Sequence, residues 1–106
     1  MRIAAYAVFL VGMMGSPVVL AQDLTGDPIR GRHLAREVCN ACHAVDRGDY
    51  ASPLLGPPPF QALAENPEIN PITLRVLLQT PHRDMPDLIL DADEMDDIIA
   101  YITSLR

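Results

Sequence analysis

Cys39-Asn40-Ala41-Cys42-His43 is the stretch of this chain whose residue types and spacing suffice for chemistry. Two thiols three residues apart, followed at once by an imidazole, form the Cys-x-x-Cys-His pattern of covalent haem attachment. Thiols at that separation reach two vinyl groups on adjacent edges of one porphyrin. The next residue then falls beneath the iron with a ring nitrogen to offer. Cys39 and Cys42 are therefore the expected attachment points for one haem c, and His43 the expected iron ligand. Other uses of a cysteine pair fit less well. A redox dithiol needs a preceding strand and a βαβ setting. A disulfide closing so short a loop gains little from loop entropy. A zinc site made from both cysteines with His33 or His82 lacks the second, regularly spaced ligand pair such domains carry.

Haem iron has a second axial position, and methionine there favours ferrous iron and raises the potential. Beyond residue 21 the methionines are Met85 and Met95. Met95 falls in the apolar stripe of a helix and reads as core. Met85 stands in Arg83-Asp84-Met85-Pro86, where the following proline pushes it out of helical conformation and suits it to project from a loop. Met85 is thus the expected sixth ligand. His82 is the competitor, giving a lower-potential bis-histidine site. An open sixth position would instead make a gas sensor or a peroxidase-like haem.

These residues need elements to position them. Asp27 before Pro28 signals a helix start, and Gly31, Leu34, Ala35 and Val38 share one face of a helix that runs into Cys39. Residues 44–59 carry Pro53, Pro57, Pro58 and Pro59 without a steady period and read as an ordered loop. Phe60 to Glu65 fits a short helix. Asn70-Pro71 opens another, with Ile72, Val76 and Leu77 as its apolar face, ending before Thr80-Pro81. Asp91 with Glu94 forms a capping box for the last helix, whose stripe is Met95, Ile98, Ile99, Ile102 and Leu105. No strand pattern competes. The expectation is an all-α domain of about four helices wrapped around one covalently bound haem.

Residues 1–21 read differently. Arg2 precedes an apolar run broken by Gly15-Ser16-Pro17, and Val19 and Ala21 are small residues suited to a cleavage site, the marks of a secretory leader. Residues 22–26 then form a flexible lead and 27–106 the domain. The apolar run is too short for a stable membrane span. The 106-residue chain carries a formal charge of −6. All fourteen acidic residues lie beyond residue 21 and Arg2 leaves with the leader, so the secreted part is more acidic still. No lysine occurs. That balance argues against nucleic acid and anionic membranes as partners and favours a basic protein. So small a domain buries too little surface for generous stability, and a haem would supplement its core.

With these features located, residues 27–106 resemble the class I monohaem cytochrome c family. The matching features are Gly31 eight residues before Cys39, the Cys39–His43 motif, a turn at Gly56-Pro57, Met85-Pro86 and the aromatic Tyr101 in the last helix. The resemblance implies that the first and last helices cross closely at Gly31, near Tyr101. It also implies that a loop proline carbonyl steadies the His43 ring; Pro57, Pro58 and Pro59 are all candidates. Ala35 stands where the family often has an aromatic residue, and the lysine ring of mitochondrial-type members is absent. The implied role is that of a periplasmic single-electron carrier, not an enzyme. It would shuttle between redox proteins such as a donor dehydrogenase and an acceptor oxidase or reductase. A dedicated cytochrome subunit of a periplasmic dehydrogenase is the related alternative.

Overall fold

A computed structural model describes Gly15, residues 25–80 and residues 84–106. The expected leader, the first part of the expected lead, and Pro81, His82 and Arg83 lie outside the described residues. Four helices follow one another: α1 (Pro28–Val38), α2 (Phe60–Glu65), α3 (Pro71–Gln79) and α4 (Ala92–Ser104). There is no strand among the described residues.

Each start has a local cause. The Asp27 carboxylate accepts from the backbone N–H groups of Ile29 and Arg30, with Pro28 in the first turn. Such a bond satisfies donors that have no partner inside the helix. Asn70 and Thr73 make a reciprocal capping box on α3, and Asp91 and Glu94 make one on α4. The α3 box was not legible in advance because threonine, not glutamate, supplies its returning bond.

The core forms where α1 crosses α4; α2 and α3 also pack on α4. Ala35 and Ile98 are wholly buried, with Ile99, Ile102, Leu105 and Val45 around them. Gly31 lets the two helices meet. A Cβ there would stand 1.9 Å from the Asp97 carbonyl oxygen and 2.9 Å from the Tyr101 Cβ. The crossing beside Tyr101 that the resemblance implies is therefore present. Asp97, 7% exposed, ties it down. Its carboxylate accepts from the Asp27 N–H at 2.7 Å and from the Arg30 guanidinium at 3.1 and 3.2 Å. The Tyr101 hydroxyl donates to the Val45 carbonyl at 2.5 Å.

Two expectations need correction. On α3, Ile72 and Val76 are 66% and 54% exposed, whereas Leu74 is buried and Leu78 packs at the edge of the core. Apolar residues lie nearly all round this helix, so periodicity could not choose its inner face. Met95 is half-buried rather than core; the first turn of α4 lies beyond the α1 crossing and faces α3 and residues 85–90. Thr25 donates to the Asp96 carboxylate, and a Cβ on Gly26 would overlap the Asp96 carbonyl, so both residues are seated on α4.

Candidate haem site

The site begins where α1 stops. Cys39 is the C-cap of α1, and its carbonyl accepts from the N–H groups of both Cys42 and His43, at 3.2 and 2.9 Å. One tight turn thus holds both thiols and the imidazole. The next residue is pinned twice: the Ala44 N–H donates to the Ser52 hydroxyl at 3.1 Å, and the Ala44 carbonyl accepts from the Phe60 N–H at 2.8 Å. The His43 ring lies 5.5 Å from that of Phe60, which lies 6.4 Å from Tyr101. A continuous run of rings therefore joins the motif to the α1–α4 crossing.

His43 Nδ1 is 2.7 Å from the Pro58 carbonyl oxygen. A carbonyl can only accept, so Nδ1 carries the proton and Nε2 keeps a free lone pair for a metal. Among the three candidate prolines, Pro58 is the one that bonds His43. Pro59 is instead the N-cap of α2. Gly56, with φ at 109°, makes a turn open to glycine and closed to most side chains. Nothing in a run of three prolines could have told them apart, because the choice rests on how that turn presents each carbonyl.

Cys39, Cys42 and His43 line a cavity of about 330 Å³. Met85 and Pro86 line it too, although they come from the far side of α3 in sequence. Val38, Leu55 and Pro57 supply apolar wall. Met85 also borders a second cavity, of about 320 Å³, shared with Leu77 and Met95. Cys39, Cys42, His43 and Met85 are thus brought to one cavity. His33 is an exposed residue of α1, and His82 falls outside the described residues.

The thiols suit attachment better than the other chemistries of a cysteine pair. Both are free. Burial, with a smaller contribution from the neighbouring Cys42, pushes the Cys39 thiol up to about 11. A redox dithiol requires the opposite shift. No group of three or more histidine, cysteine or acidic side chains among the described residues could hold a metal ion, which disfavours a zinc site with His33. The donor set instead fits a haem: two adjacent thiols, an imidazole with its outer nitrogen already bonded, a thioether and apolar walls.

Comparison with known proteins agrees. Residues 29–106 match the family described as Cytochrome c. The chain is 37% identical over 83 residues to a cytochrome c-552 from Bradyrhizobium diazoefficiens, an alignment covering 78% of this chain and 79% of that protein. No solved structure matches the chain. No helix among the described residues is long and apolar enough to cross a membrane. Matched along nearly all of its helical part, the chain belongs to the class I monohaem cytochrome c family, haem-based electron carriers whose haem c is covalently bound.

Proposed function

We propose that the protein is a periplasmic single-electron shuttle in which Cys39 and Cys42 hold the haem and His43 and Met85 are its axial ligands. The observation that carries this reading is the single cavity lined by both thiols, the imidazole and the Met85 thioether. The haem, when bound, supplies an iron that takes up and gives back one electron. The chain's own residues do the rest. Cys39 and Cys42 would each add across a haem vinyl group, an addition that consumes no oxidant and releases nothing. The bond to Pro58 keeps the His43 ring in one tautomer and one orientation. The Met85 thioether, held against the iron, would favour the ferrous state. Val38, Leu55 and Pro57 offer the haem an apolar wall, and the low-dielectric surround this makes would raise the potential further. Ligands that stay in place in both oxidation states leave little to reorganise. The reading assigns no conversion of a substrate to the protein.

Residues 1–21 are a leader removed on secretion, and 27–106 are the haem domain. Partners are redox proteins, a donor dehydrogenase and an acceptor oxidase or reductase. The net negative charge favours basic docking faces on them.

The deciding experiment is an optical spectrum of protein purified from a periplasm equipped for haem attachment, with a haem stain after denaturation. A stained band, a sharp reduced α-band and a weak near-infrared band in the oxidised form are expected. Stain without the near-infrared band would remove Met85 as a ligand and turn attention to His82 or an open site; fast carbon monoxide binding would single out the latter. The mass of the same sample should correspond to a chain beginning at Gln22.

A further inference from the structure

Asp84 is the non-glycine residue among the described residues whose backbone enters the left-handed region, with φ at 63°. A Cβ is disfavoured there; after glycine, asparagine and aspartate tolerate it best. The residue directly precedes Met85, and Pro86 follows. All three line the cavity that holds His43. Two backbone constraints therefore bracket Met85. The left-handed residue turns the chain on one side, and the proline denies Met85 helical dihedrals on the other. Left-handed residues with a side chain persist where the surroundings demand them, and they gather at ligand clamps.

We propose that Asp84 is a positioning residue for Met85, and that its left-handed backbone rather than its carboxylate presents the thioether to the iron. The inference rests on the reading of Met85 as axial ligand. It differs from a general stabilising role, because Asp84 is exposed and stands apart from the α1–α4 core.

The test is imidazole competition on the ferric, haem-loaded protein, followed through loss of the near-infrared band. Four variants are compared with the parent: Asp84→Gly, Asp84→Asn, Asp84→Ala and Asp84→Val. Glycine and asparagine accept the left-handed region and should need about as much imidazole as the parent. Alanine and valine should be displaced at lower concentration, by roughly tenfold for valine, the size set by the penalty on a Cβ in that region. Thermal melts taken in saturating imidazole, where Met85 is already displaced, should be alike in all five. The alanine variant keeps the comparison open if the valine variant fails to fold. Equal competition in the glycine and alanine variants would overturn the proposal. So would an asparagine variant as weak as the valine one, since that would assign the effect to the charge. A parent protein with no near-infrared band overturns the ligation reading and this inference together, so the two failures are distinguishable.

Discussion

The His43 imidazole and the Pro58 carbonyl are joined at 2.7 Å, which places the ring proton on Nδ1. In the reduced, haem-loaded protein the His43 ring N–H should give a slowly exchanging proton resonance. Pro58→Gly keeps the carbonyl but loosens the loop, and exchange should quicken. Loss of such an outer bond typically weakens a metal site about 10–100-fold. Equal exchange rates in both proteins would show that the loop does not hold the ring.

Gly31 leaves no room for a side chain, because what it meets is the backbone of Asp97 rather than a yielding side-chain tip. Gly31→Ala should therefore lie at the upper end of overpacking costs, about 3 kcal/mol, lowering the melting midpoint by roughly 12 °C or more. A midpoint within a few degrees of the parent would mean that α1 and α4 do not meet in this way.

Gln61 is buried and joins three parts of the chain. Its Oε1 accepts from the Gly48 N–H at 3.0 Å, and its Nε2 donates to the Leu105 carbonyl at 2.8 Å and to Glu65 at 2.9 Å. Gln61→Leu keeps most of the volume but leaves the Gly48 donor and the Leu105 acceptor without this partner. A loss of about 1–3 kcal/mol in denaturant melts is expected. If leucine were neutral while alanine was costly, packing rather than hydrogen bonding would be the cause.

Tyr101 yields a pH prediction. Desolvation, with the charge of Asp46 second, raises its pKa above the ordinary 10.0. The folded protein thus holds this proton to higher pH than the unfolded chain does. Its stabilisation is full below 10 and falls as pH rises through the folded value. Tyr101→Phe should cost about 1 kcal/mol at neutral pH, for the bond to Val45. The gap between the two proteins should narrow above pH 10. Tyr50, whose pKa is also raised, is present in both and drops out of the difference. A gap constant to pH 11 would contradict the assignment.

Val38, Leu55 and Pro57 line the cavity with apolar surface that a haem would cover, in a domain too small to bury a generous core of its own. By the logic of metal-coupled folding, a Cys39→Ala, Cys42→Ala double variant made without haem should lack a cooperative melt. A sharp, parent-like transition would show that the polypeptide core suffices.

Much of this was readable in advance, for definite reasons. Helix starts were fixed by local chemistry at Asp27-Pro28, Asn70-Pro71 and Asp91, and those signals act within a few residues. The motif was readable because its spacing is itself the chemistry. The inner face of α3 and the surroundings of Met95 depend on which element packs beside them, so one-dimensional periodicity was silent. Pro58 and Gln61 act through tertiary hydrogen bonds to residues 15 and 44 positions away. Asp84 lacked any mark, since aspartate enters left-handed backbone only by context.

The clasp between Asp27 and Asp97 joins positions 70 residues apart, and this bears on synthesis. A growing chain that has not yet reached α4 has no partner for Gly31 and no acceptor for the Asp27 N–H. Its helices are too short to persist alone, and its decisive contacts are long-range ones that form slowly. Such a chain gains its fold only as its final turns emerge.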